Sequence, residues 1–193
     1  AQMNGEGTID IRLRSSETSF STDHMEATCR FNEIFRPTML ARSSSEQSVV
    51  LDPQTELYGS VLFQSGRFRR LKSYERLGAT ECLARASVEK DSGWFGRYLP
   101  QSLVLSDPGA RDAALHAIQA CIPHARVLPV GVDSVEFGPH RPGAFQRIHA
   151  RELSQSGGVL VYDLEIATPD GQVVERWSRL ELRVIGAARA PDR

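Results

Sequence analysis

One segment limits the choice of folds more than any other: Ser106-Asp107-Pro108-Gly109-Ala110-Arg111-Asp112-Ala113-Ala114-Leu115-His116-Ala117-Ile118-Gln119. It is the one long helical pattern in a chain otherwise written in strands. Ser106 or Asp107 followed by Pro108 is a favoured helix start, because an N-cap oxygen satisfies a free backbone N–H and proline suits the first helical position. Pro123 closes the pattern, which predicts a helix from Pro108 to Ile122. At about 100° per residue, Asp112, His116 and Gln119 fall within roughly a 60° arc. Leu115, Ile118 and Ile122 lie beside them, with Ala113, Ala114, Ala117 and Cys121 on the other side. A helix that is small or apolar over most of its surface is buried. Burying a carboxylate costs several kcal/mol unless it is paired or used. Asp112 is therefore the residue that asks for an explanation.

The rest of the chain supplies the partner for that helix. Thr8 to Arg14 alternates apolar and polar residues, the pattern of a strand with one buried face, and Phe20 to Phe31 offers a second strand. Two strands do not make a stable unit alone, so they read as the tail of a sheet that lies elsewhere. Pro37, Ser43-Ser44-Ser45 and Asp52-Pro53 give residues 36–56 a linker composition, with a boundary expected near Ser45. Strand patterns recur at Glu81–Glu89, Arg126–Val135, Phe145–Leu153, Gly158–Ala167 and Val173–Ile185, and Thr168-Pro169-Asp170-Gly171 is a strong turn. Strands in series joined by short turns imply an antiparallel sheet, and the single helix must pack against it. The expected fold class is α+β, an antiparallel sheet wrapped around a long central helix.

The formal net charge of −1 over 193 residues argues against a nucleic-acid surface, which needs a basic excess. No stretch approaches the roughly 18 apolar residues of a membrane span, and no signal peptide is visible. The three cysteines, Cys29, Cys82 and Cys121, are odd in number and far apart. They form neither a zinc pattern nor a disulfide framework, so a cytoplasmic, reducing location is expected. Basic residues cluster at Arg67, Arg69, Arg70, Lys72 and Arg76, either as a solvated face or as a surface for an acidic partner.

The helix and its neighbours resemble a hotdog fold, and more narrowly the C-terminal half of a polyketide synthase dehydratase domain, which is a double hotdog. The family's acid sits on the second hotdog helix in an Asp-x-x-x-Gln or Asp-x-x-x-His pattern, matched by Asp112-Ala113-Ala114-Leu115-His116. Asp107-Pro108 stands where the family often has His-Pro. The family's Tyr-Gly-Pro-x-Phe element resembles Tyr58-Gly59-Ser60-Val61-Leu62-Phe63, with Ser for Pro and one extra residue before Phe63. Leu128-Pro129-Val130-Gly131-Val132 is similar to the strand after the helix. With Phe63-Gln64-x-Gly-Arg67-Phe68-Arg69-Arg70, the combination looks most like the iterative synthases of enediyne precursors. The resemblance covers residues 47–186. It makes 1–45 the closing strands of a first hotdog plus the start of a linker, 46–186 the C-terminal hotdog, and 187–193 a tail. The family's base is a His in His-x-x-x-Gly-x-x-x-x-Pro on the first hotdog. None of the five histidines here is followed four residues later by glycine.

The resemblance implies removal of water from a 3-hydroxyacyl thioester carried on the phosphopantetheine of an acyl carrier protein, with no metal or other cofactor. Asp112 would be the acid, His116 its helper, and Tyr58, Gly59, Phe63 and Gln119 would contact substrate. Such an acid must be protonated near neutral pH, and an apolar site favours the protonated carboxyl. Blander readings stand beside these: Asp112 as a solvent-facing helix acid, His116 and Gln119 as hydrogen-bonded structural residues. Other functions also remain open, namely a hotdog shell that binds acyl chains or docks a carrier without turnover, and a hotdog thioesterase or cyclase. Neighbouring synthase domains are expected partners. A half domain would also expose an apolar face, so self-association or a homodimer is expected.

Overall fold

The computed structural model describes residues 2–4, 7–31, 33–41, 51–89, 94, 107–139 and 144–188. Two compact units divide between Phe35 and Arg36. The expected boundary near Ser45, the stretch from Phe95 to Pro100 and the candidate cap Ser106 lie outside the described residues.

The first unit is a three-stranded antiparallel sheet, β1 (Gln2–Asn4), β2 (Thr8–Leu13) and β3 (Met25–Arg30), in that order. Pairing of Ile9 with Cys29, Ile11 with Ala27 and Leu13 with Met25 gathers its apolar residues on one face. Leu13 and Met25 remain exposed, and none of residues 7–31 and 33–35 is buried.

The second unit holds β4 (Leu71–Leu77), β5 (Glu81–Ser87), helix α1 (Pro108–Gln119), β6 (Ala125–Gly131), β7 (Ser134–Phe137), β8 (Phe145–Ser156), β9 (Val159–Ala167) and β10 (Val173–Ala187). The sheet order is β4-β5-β8-β9-β10-β6, with β7 also on β10, and every pairing is antiparallel. The chain thus places the strand after the helix at the far edge, beyond the last strand. Helix α1 touches β4 and β5 at one end of the sheet and β6 at the other, so the sheet curls around it. Ala113, Ala114, Ala117 and Ile118 of the helix share one core with Ala84, Ala86, Ile148, Ala150, Leu160, Tyr162 and Leu164. Alanines on both sides let helix and sheet approach closely, and each large side chain buried there contributes about 1.5–3 kcal/mol. Sheet side chains also hold helix carbonyls: Tyr74 Oη donates to Ala117 O at 2.9 Å and Gln146 Nε2 to Ala110 O at 2.7 Å.

Two elements differ from the sequence expectation. The basic segment 71–77 is a full strand. Its inward residues Leu71 and Tyr74 are three apart, because bulges between Leu71 and Ser73 and between Tyr74 and Arg76 break the period of two. The expected strand Arg126–Val135 is two strands, both laid antiparallel along the 15-residue β10.

The outer sheet face carries a charge ladder. Arg85 and Arg147 lie opposite one another, and Glu75 pairs with both. His149 on β8 sits between Glu81 (Nε2 to Oε1, 2.7 Å) and Glu165 (Nδ1 to Oε2, 3.5 Å). Glu165 and then Glu81 raise the imidazole's pKa above its ordinary value against the opposing effect of burial, although Glu81 is the nearer partner. The histidine gains affinity for protons on folding. Its stabilisation is complete below the unfolded value of about 6.5 and fades as pH rises through the higher folded value. His149→Gln is expected to cost about 1–2 kcal/mol at about pH 6 and less above about pH 8. Urea unfolding at both pH values checks this, and an equal cost at both would show that the histidine's charge is not involved.

Candidate active site

Helix α1 begins where local chemistry dictates. Asp107 is 2% exposed; its Oδ1 accepts from Gly109 N at 2.9 Å and its Oδ2 from Glu89 N at 2.8 Å. A missing side chain at Gly109 is required there, since a Cβ would stand 2.6 Å from the Arg67 carbonyl. The turn at Gly66–Phe68 therefore packs directly on the first turn of the helix.

The second component is Tyr58. A π-helical turn over Pro53–Leu57, capped by Asp52 through Gln54 N, delivers it. Gly59 follows at φ +89°, a left-handed conformation that glycine adopts without steric cost, and its N–H bonds Leu62 O at 2.8 Å. This turn directs Tyr58, 4% exposed, onto α1.

There Tyr58, His116 and Asp112 meet. Tyr58 Oη lies 3.0 Å from His116 Nδ1, with the rings edge to face at 5.5 Å. Leu71 N–H donates to Tyr58 Oη at 3.2 Å. His116 Nε2 lies 3.0 Å from Asp112 Oδ2, one helical turn away. That contact is close but off the direction of a hydrogen bond, so Nε2 has no such partner among the described residues. His116 is 2% exposed, whereas the Asp112 side chain is 27% exposed. Burial, and then the nearby Asp112 charge, raise the Tyr58 pKa above its ordinary value, opposed by the Leu71 N–H. The phenol is thus held protonated as a donor.

The other sequence candidates separate. Phe63 is 80% exposed. Gln119 is buried at the other end of the helix, where its Nε2 donates to Ile122 O and Ala125 O, both at 2.7 Å. It caps the helix C-terminus rather than joining Asp112. Asp112 itself is not the fully buried acid that the helix pattern predicts. Arg111, Asp112 and Leu115 form a half-exposed strip on α1, and the acid lies at its edge. The basic cluster is not a free cationic face either. Arg67 pairs with Glu89 at 3.0 Å and stacks on Trp94, Arg70 pairs with Glu89 and approaches Asp107, and Arg76 pairs with Glu81. Arg69 of the same cluster places its guanidinium 5.2 Å from the Tyr58 ring centre. No three His, Cys, Asp or Glu side chains among the described residues are grouped to hold a metal ion. No described helix is long and apolar enough to cross a membrane.

The family model described as the polyketide synthase dehydratase N-terminal domain matches residues 36–192. The chain belongs to the polyketide synthase dehydratase family. Solved structures share its architecture. The dehydratase domain of RzxB from Pseudomonas fluorescens is 20% identical with a TM-score of 0.70, over 94% of this chain and 66% of that one. An isomerase-inactive variant of GphF DH1 is 21% identical with a TM-score of 0.61, over 92% and 62%. A trans-acyltransferase polyketide synthase enoyl-isomerase is 15% identical with a TM-score of 0.60, over 91% and 68%. The chain therefore spans less than two thirds of the first two structures. No curated protein matches it. The fold is that of a hotdog, an antiparallel sheet wrapped around α1, as expected from the sequence.

Proposed function

We propose that this dehydratase-family chain is the C-terminal hotdog of a dehydratase domain, which eliminates water from carrier-bound 3-hydroxyacyl thioesters to give 2,3-unsaturated chains. The observation that carries this reading is the grouping of Asp112, His116 and Tyr58 on and against α1. A base removes the proton alpha to the thioester, its electrons form the double bond, and the C–O bond breaks. Asp112 gives its proton to the departing hydroxyl, which leaves as water. The base is a histidine of the first hotdog, outside this sequence. The matching family model bears the name of the N-terminal domain. The C-terminal placement rests instead on the Asp-x-x-x-His pattern of α1 and on β2 and β3, which read as closing strands of a preceding hotdog. The likeness to enediyne-type synthases rests on Leu57-Tyr58-Gly59 and residues 63–70 together with Asp112-x-x-x-His116. As a synthase domain it would work beside other domains and a carrier protein in the cytoplasm. The exposed Leu128 and Val130 of edge strand β6 offer an apolar margin for the first hotdog or for a second copy.

A hotdog shell that binds acyl chains without turnover is the second reading, favoured by Ser60 in place of the family's proline. Mass spectrometry of a carrier-bound 3-hydroxyacyl chain, with a protein extended upstream by one hotdog, separates the readings. Loss of water is the expected result. An unchanged substrate supports the shell, and free acid a thioesterase.

A further inference from the structure

Asp112 can place its proton in two ways, and His116 decides between them. With the imidazole proton on Nε2, that nitrogen, 3.0 Å from Asp112 Oδ2, has no lone pair to take the acid's proton, and the carboxyl O–H is left for the departing hydroxyl of the substrate. With the imidazole proton on Nδ1, the bare Nε2 is a basic lone pair 3.0 Å from the carboxyl that competes with the substrate for the acid's proton. The choice is made on the other side of the ring. Tyr58 Oη already accepts the Leu71 N–H at 3.2 Å. Its own proton has two acceptors in reach, His116 Nδ1 at 3.0 Å and Phe68 O at 3.4 Å. An O–H···O distance of 3.4 Å lies beyond the ordinary range of about 2.5–3.0 Å. The hydroxyl therefore donates to Nδ1, and the imidazole proton resides on Nε2. A buried histidine takes its tautomer from the hydrogen bond its other nitrogen makes.

We propose that Tyr58 is a positioning residue: by donating to His116 Nδ1 it fixes the Nε2–H tautomer and so leaves the proton of Asp112 free for the leaving group. The inference rests on the dehydratase reading for its use, but the tautomer itself does not depend on turnover. Tyr58 touches neither the reacting atoms nor Asp112 in this account. It acts through the imidazole, with the polypeptide N–H of Leu71 fixing its direction.

The test is nitrogen-15 NMR of the 193-residue chain, with the His116 signals assigned by their loss in His116→Gln. The wild type is expected to show His116 as Nε2–H, with a slowly exchanging Tyr58 hydroxyl proton close to the ring. Tyr58→Phe removes the donor, and the Nδ1–H form is expected to appear beside it. A wild-type Nδ1–H ring, or a wild type without the hydroxyl contact, overturns the proposal even where Tyr58→Phe fails to fold. An unchanged tautomer in a folded Tyr58→Phe chain overturns it as well. In the complete dehydratase the same substitution is expected to lower kcat about tenfold or more at unchanged KM, as loss of a group acting only on proton transfer does. A raised KM with kcat intact would make Tyr58 a substrate contact instead. A wild-type protein that releases no water refutes the dehydratase reading and leaves the NMR result standing.

Discussion

Asp112→Asn in the complete double hotdog is expected to lower water elimination by at least about 10²-fold, the low end of what a positioned acid contributes. The amide keeps the shape of the carboxyl and its place on α1, but has no proton acidic enough for the leaving hydroxyl. Folding should be nearly untouched, with a stability change within about 0.5 kcal/mol. The reason is positional: the side chain lies at the edge of the half-exposed strip of the helix, and its close polar contact among the described residues is His116. Single-turnover conversion followed by mass spectrometry, with urea unfolding of both proteins, checks the two halves together. Full turnover in the variant removes Asp112 from the mechanism. Loss of turnover with loss of folding would instead make it a structural acid. An unchanged KM for the carrier-bound chain is also expected, because the acid acts in the transition state and contributes little to ground-state binding.

The helix and most strands of the second unit were legible because their patterns are local. Asp107-Pro108 before an alanine-rich run announces a buried helix, and Val159 to Ala167 alternates as a half-buried strand does. Strand β4 was hidden by its bulges, which move Leu71 and Tyr74 out of the period of two. The site was legible by residue type and not by geometry. Asp112 and His116 are one turn apart and announce each other. Tyr58 is 58 residues from His116 in sequence, and only the π-helical turn and Gly59 bring its hydroxyl to Nδ1. Gln119 shares an arc with Asp112, yet the free carbonyls beyond the helix end attract its amide. An angular reading of a helix does not register that end effect. Nor does it show where the sheet stops covering the helix, which is why Asp112 reads as buried and is found at a margin. The basic segment illustrates the same limit: its arginines face Glu89, Glu81 and Asp107, acids drawn from other parts of the chain.

Arg111→Met is expected to destabilise the fold by about 2–4 kcal/mol, because it strands a buried carboxylate. Glu175 on β10 is 6% exposed, and Arg111 on the first turns of α1 approaches it twice at 3.1 Å. The Nη2 approach is a hydrogen bond, whereas the Nε approach lies off its N–H direction. Trp177 Nε1 also donates to the carboxylate, and the Arg111 guanidinium lies 4.8 Å from the Phe137 ring centre. Burial pushes the Glu175 pKa above the ordinary carboxylate value, with Arg111 and Trp177 opposing it. A carboxyl whose pKa is higher folded than unfolded binds more protons in the native state, so it removes stability as pH rises through that interval. Without Arg111 that interval widens upward. The deficit of Arg111→Met relative to wild type should thus be largest at neutral pH and shrink as pH falls towards the unfolded carboxyl value of about 4. Glu175→Gln should cost less, because the guanidinium it leaves behind reaches solvent. The double variant should recover most of the loss, since neither charge is then buried alone. Urea unfolding of the four proteins between about pH 5 and pH 8 measures all three effects. A pH-independent deficit, or a double variant no better than Arg111→Met, would place the loss in the packing of Arg111 on Phe137 and not in the stranded charge.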